Sequence, residues 1–182
     1  MIRKARKDDA KKCIQLLALA MDHFIYKLSG YDEYQKAIEV LENFFIQENN
    51  RLSYENVCVY EENEEILGAI CFYDGALADE LDKPLNEHLE FLGINEKVLK
   101  ECEDEFYLDS ICVDEKARGK GIAKKLIEYA FNEALKNGKK LSLIVEDENI
   151  NAKMLYEKMG FKFIKNKIFH SHKYEYREKE NK

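Results

Sequence analysis

Residues Ala117 to Leu126, reading ARGKGIAKKL, set two glycines one residue apart among basic side chains and then run into an apolar-periodic stretch. A loop that enters a helix N-terminus gathers backbone N–H groups without intrahelical partners, and the helix dipole adds positive potential there. Gly119 and Gly121 admit a bulky anion with no Cβ in the way, while Arg118, Lys120, Lys124 and Lys125 supply charge suited to phosphate. Such a loop is either an anion site or a plain surface turn. No third glycine completes GxGxxG, and GxxxxGK followed by Ser or Thr cannot be written, so neither a dinucleotide fold nor a P-loop is supported.

Four further groups bear on chemistry. In NINAKMLYEKMGF, residues 149–161, Asn149, Ala152 and Tyr156 fall on one side of a helix, with Gly160 ending it and Phe161 starting a strand. Asp109 stands in the middle of the apolar run EFYLDSICV, where a carboxylate needs a partner, a water or a task. His170 and His172 alternate on a terminal strand, but two ligands with no third group beside them do not make a metal site, and no metal is expected. Cys112 has no histidine or cation readable beside it and is expected to pack.

The elements that must carry these residues follow from periodicity. IRKARKDDAKKCIQLLALAMDHF reads as a short strand, an Asp8 or Asp9 cap, and a helix with Ile14, Leu17, Ala18 and Met21 on one face. A second helix is expected over about 34–48. NVCVYEENEEILGAICFY predicts a hairpin that turns at Glu61 to Glu65. Residues 75–105, with the only proline, Pro84, predict a helical insertion between strands. EFYLDSICV is a strand, Gly121 to Asn137 a helix, LSLIV a strand covered on both faces, and Asn149 to Met159 a helix. The end predicts two strands around Asn166 and a frayed tail from Arg177. The fold class is α/β, more fully an α+β mixed sheet with helices on its faces, in the order βααββ, helical insertion, βαβαββ.

Composition narrows the function classes. A chain of 182 residues supports one domain, 1–182. It shows no apolar run of membrane-spanning length and no signal-peptide pattern, so a cytoplasmic address and no membrane partner are expected. The five cysteines are scattered and never spaced as CxxC, which supports neither a disulfide framework nor a zinc site. Residues 75–105 hold ten carboxylates against three lysines, a balance of −7 equal to that of the whole chain. That segment disfavours nucleic acid as a partner and attracts cationic substrates.

Together, the two motifs resemble those of the GNAT superfamily of N-acetyltransferases. The family loop pattern Q/R-x-x-G-x-G/A is met by Arg118, Gly121 and Ala123, after a strand ending Ile111, Cys112, Val113; the later N-x-x-A-x-x-x-Y-x-x-x-G-F pattern is met by Asn149, Ala152, Tyr156, Gly160 and Phe161. The resemblance covers about 105–176, and the acidic helical insertion at about 75–105 matches no general family feature. It implies transfer of the acetyl group of acetyl-CoA to a primary amine, small molecule or peptide, by direct attack.

What the resemblance implies residue by residue is as follows. The loop Arg118, Gly119, Lys120, Gly121, Ile122 and Ala123 holds the CoA pyrophosphate. The main chain of Ile111, Cys112 and Val113 holds the pantetheine arm and the acetyl carbonyl, where one good N–H donor lowers the barrier by roughly 3 kcal/mol. Asn149 binds the pantetheine arm, and Tyr156 protonates the departing thiolate. Two positions at which family members carry a basic glutamate are Ile144 and Tyr107, so the base is Asp109, Glu146 or a water. The alternative reading is an acetyl-CoA-binding sensor without turnover. The insertion is expected to lid the acceptor groove and favour a cationic amine, and pairing of the terminal strands to give a homodimer.

Overall fold

A computed structural model describes residues 1–169 and 171–180. Its seven-stranded sheet runs β1-β2-β3-β4-β5-β7-β6, with β1 at Ile2–Lys4, β2 at Val57–Glu62, β3 at Glu65–Asp74, β4 at Phe106–Val113, β5 at Leu141–Glu146, β6 at Lys162–Phe169 and β7 at His172–Lys179. Only β4 and β5 pair in parallel; the remaining neighbours are antiparallel. This is the mixed sheet the sequence predicts. No helix among the described residues is long and apolar enough to cross a membrane.

Helices cover both faces. On one side pack α1 (Ala10–Met21), α2 (Phe24–Ser29), α3 (Tyr34–Phe45) and α4 (Ala78–Phe91), around a core that includes Ile14, Leu17, Leu41, Phe45, Leu85 and Tyr107. On the other pack α5 (Ile122–Lys136) and α6 (Ile150–Lys158), around Ile70, Leu126, Leu143 and Tyr156. A sheet with both faces covered needs apolar residues at consecutive positions, which is why β3 is buried almost without interruption from Ile66 to Tyr73. The hairpin turns at Asn63 and Glu64, both with positive φ, as a tight turn matched to strand twist requires.

The structure departs from the sequence reading at four places. A short helix, α2, precedes α3 and was not predicted; six residues are too few to show a period. The Asp9 carboxylate does not cap α1 but accepts from the Arg6 amide and from Arg3. Asn166 lies inside β6, paired with Glu175, and the chain reverses after Phe169 instead. Arg177 is not frayed: it is buried in β7 and pairs with Glu157 and Glu175 at 2.8 and 2.6 Å.

The insertion contributes to the core. Its helix α4 buries Ala78, Leu85 and Leu89, and the irregular chain that follows buries Val98 and Cys102. Five cysteines are free thiols, four buried and Cys112 half-buried.

Candidate active site

β4 and β5 pair only from Phe106 to Leu108 against Leu141 to Leu143. Beyond that point they part, and the main chain of β4 from Asp109 to Val113 keeps a strand partner on the β3 side alone. A groove of about 300 Å³ opens at the fork, lined among others by Arg51, Glu101, Asp109, Ile111, Asn149 and Tyr156. Residues far apart in sequence therefore share one cavity.

A bulge in β4 decides which way its side chains point. Cys71 pairs with Ser110 and Phe72 with Leu108, so Asp109 is the extra residue. Before it, Tyr107 belongs to the α1–α4 side and Leu108 to the α5 side; after it, Cys112 packs toward the first and Ile111 and Val113 toward the second. Asp109 keeps the face of Tyr107, as a period of two expects, but the parity does not continue. The Ser110 hydroxyl beside it lines the groove, sealed from solvent and without a hydrogen-bond partner. A sealed donor with no partner among the described residues is rare in a native fold.

The glycine loop follows β4 through one turn of 3₁₀ helix, Glu115–Ala117, capped by the Asp114 carboxylate on Lys116 N–H. Gly119 and Gly121 hold φ of 80° and 73°, and a Cβ on either would meet nothing within 4 Å. The left-handed backbone demands glycine here, and the space beyond it is open for a large anion. The Lys125 amide bonds to Gly121 O, which leaves the amides of Ile122, Ala123 and Lys124 with no intrahelical partner. The helix comes close to the sheet because Gly68 of β3 lies under it: a Cβ there would sit 3.1 Å from Ile122 Cγ2.

Across the fork, the Asn149 side chain caps α6 by accepting from Ala152 N at 3.1 Å. At the other end, Phe161 N bonds to Tyr156 O and Gly160 N to Glu157 O, the paired bonds of a Schellman ending that fixes Tyr156 against Phe161. Tyr156 is buried, and burial pushes its phenol up to about 12. It is a proton donor over the whole neutral range.

The far side of the groove is ionic. Arg51, 1% exposed, donates from Nε to Asp109 Oδ2 at 2.8 Å, from Nη2 to Glu101 Oε2 at 3.0 Å and from Nη1 to Asp82 Oδ1 at 3.4 Å. Tyr73 donates to Asp109 Oδ2 at 3.1 Å and Tyr107 to Glu101 Oε2 at 2.5 Å. One guanidinium faces three carboxylates, and burial raises Asp82 to about 6 and pushes Glu101 upward as well. The Asp109 Oδ1 atom takes no hydrogen bond from the described residues.

The predicted site residues thus fall into two groups. Asp109, Ile111, Asn149 and Tyr156 line the groove, as does Glu146; Arg118 to Ala123 form the loop beyond the end of β4, and Cys112 and Val113, on the last part of that strand, do not line the groove. Burial raises the Cys112 thiol, the reverse of what a nucleophile needs. Within the insertion, Glu101 lines the groove, whereas Glu103 and Asp104 do not. His170 lies outside the described residues. The sequence places no motif around Arg51, Tyr73 and Asp82, and none of them was expected at the site.

Comparison with known proteins agrees with this geometry. The family model described as acetyltransferase (GNAT) family matches residues 16–161. A crystal structure described as an acetyltransferase is 29% identical, with a TM-score of 0.77 over 99% of this chain and 98% of that one. An N-acetyltransferase from Staphylococcus aureus Mu50 is 24% identical, with a TM-score of 0.83 over 98% and 99%. The NatC complex bound to Gag peptide and CoA is 20% identical, with a TM-score of 0.55 over 97% and 91%.

Proposed function

Because the chain belongs to the acetyltransferase (GNAT) family, we propose that it moves the acetyl group of acetyl-CoA to a primary amine that carries positive charge. The carrying observation is the groove itself. One end joins an open strand edge, the Ser110 hydroxyl and Tyr156; the other joins Glu101 and Asp109 to Arg51, whose guanidinium also meets Asp82 outside the groove lining.

The residues fit the donor. The loop amides from Gly119 to Ala123, with Arg118 and Lys120, receive the pyrophosphate. The unpaired main chain of Ile111 to Val113 and the Asn149 side-chain amide receive the pantetheine arm, and Ser110 gains the partner it lacks. When bound, the donor supplies a thioester carbonyl open to attack. A β4 N–H aimed at that oxygen stabilises the charge that develops there.

The acceptor side must bind an ammonium and then take its proton. Asp109 and Glu101 attract the cation, and Asp109 Oδ1 is free to hold it. Lysine-like amines have pKa values near 10.4, so a base is needed before the nitrogen lone pair can attack. Glu101, made more basic by burial, takes the proton directly or through water, with Asp109 beside it. The position at which family members carry a glutamate is Tyr107, and its hydroxyl is bonded to Glu101; the insertion thus supplies the missing carboxylate. As the new C–N bond forms and the C–S bond breaks, Tyr156 gives its proton to the leaving sulfur, and the second proton that the nitrogen sheds in becoming an amide restores the phenol through water. Much of the rate comes from alignment of the two reactants in one groove.

Calorimetric titration of acetyl-CoA into the wild-type chain and into Gly121→Glu tests the donor site, and an amine panel read as free thiol tests transfer. The expected result is binding that the substitution abolishes and thiol release with cationic amines. Binding with no thiol release from any amine would identify a sensor. No binding would overturn the reading altogether.

A further inference from the structure

Three side chains from distant parts of the chain converge, and one of them, Glu146, also lines the groove. His23 sits in the turn between α1 and α2, Glu146 ends β5, and His172 begins β7. One ligand atom from each lies within 4.8 Å of the other two. The two imidazoles stack with ring centroids 4.4 Å apart and 23° between planes, and His172 Nδ1 is 4.0 Å from Glu146 Oε1.

The backbone is bent to bring His23 there. Asp22 holds φ 49° and ψ −125°, a conformation that side-chain-bearing residues rarely adopt, and it ends α1 so that the next residue reaches β7. The Asp22 carboxylate itself is 3.9 Å from His23 Nδ1.

We propose that His23, Glu146 and His172 bind a divalent first-row transition-metal ion of the zinc type. Two imidazole nitrogens and one carboxylate oxygen suit such an ion, whereas magnesium and calcium select oxygen alone. At metal–ligand bonds of about 2.0–2.1 Å, the donors of a tetrahedral site stand about 3.3 Å apart. The three atoms must therefore close by about 1.5 Å at most. Side chains that are 37% to 49% exposed can do so by rotation alone. Three protein ligands leave a fourth position for water or for Asp22. The alternation of His170 and His172 gave the sequence two histidines and no third group; the pairing of β5 with β7 brings Glu146 to His172, and the Asp22 bend adds His23.

This site stands apart from the acetyl-transfer reading. The untagged full chain, stripped with a chelator that is then removed, is titrated with Zn²⁺ against a chromophoric competitor near neutral pH. Co²⁺ is added separately and its visible absorption recorded. One ion per chain is expected, with a rise in Tm and a tetrahedral cobalt band. Affinity falls by about tenfold or more in each of His23→Ala, Glu146→Gln and His172→Ala. The metal-free variants should keep the wild-type circular dichroism, because all three side chains lie at the surface. Absence of stoichiometric binding overturns the proposal, as does binding undiminished in the three variants, which would assign the ion to other groups such as the cysteines.

Discussion

Replacing Glu101 with glutamine tests the acceptor chemistry at one atom. The amide oxygen can still accept from Tyr107 and from Arg51, while the negative charge, its ion pair with Arg51 and the basicity proposed for Glu101 are lost, so kcat should fall as well. Glu101 and Asp109 touch the same guanidinium nitrogen at 3.0 and 2.7 Å, and for an ammonium held at Asp109 a separation from Glu101 of about 6 Å is taken. At an effective dielectric of about 20, a charge pair at that distance is worth about 3 kcal/mol. The groove is open to water, and screening removes about half, leaving about 1.4 kcal/mol, or about tenfold in affinity. Steady-state kinetics of thiol release should show the Michaelis constant for a cationic amine rising about tenfold while that for acetyl-CoA holds. The gap between variant and wild type should shrink as salt is added. Equal increases in both constants, or an unchanged amine constant, would refute the assignment of Glu101 to the acceptor side.

Two further outcomes follow from the same geometry. Tyr156→Phe should leave acetyl-CoA binding by calorimetry intact and lower kcat by about 10²–10⁴-fold, the usual contribution of a general acid; an unchanged kcat would remove Tyr156 from the proton path. Asp82 ionises in the fold at about 6, against 3.8 for the free group, because burial disfavours its charge. An acid whose folded pKa is raised binds its proton more tightly in the native state, so stability is complete below about pH 4 and declines as pH rises through 6. The decline attributable to Asp82 is on the order of 3 kcal/mol. Asp82→Asn should therefore flatten the Tm profile across that window, and parallel profiles for variant and wild type would show that Asp82 is not the group responsible.

Half of the groove was legible in the chain and half was not. The glycine loop could be read because its geometry is local: positive φ at Gly119 and Gly121, amides at a helix start and nearby cations are all set within a few residues. The same holds for Asn149 and Tyr156, whose common side follows from helical spacing and whose ends are fixed by a cap and a Schellman turn. Asp109 was legible as an anomaly, a carboxylate in an apolar strand, though not by its partner. The terminal hairpin was placed a few residues early because Asn166 is a turn residue by type, and strand pairing with β7 overrode that preference.

By itself the sequence determined the order of the strands and of every longer helix but not α2, the glycine turn ahead of α5 and the common side of Asn149 and Tyr156, since each rests on period or on contacts between neighbours. Tertiary structure alone decided that Arg51 gathers Asp82, Glu101 and Asp109, that the insertion delivers a carboxylate to Tyr107, and that His23 meets Glu146 and His172. Those encounters join residues from separate elements across the sheet. Their distances depend on the bulge in β4, the fork between β4 and β5 and the bend at Asp22, none of which has a local signature strong enough to read in the chain.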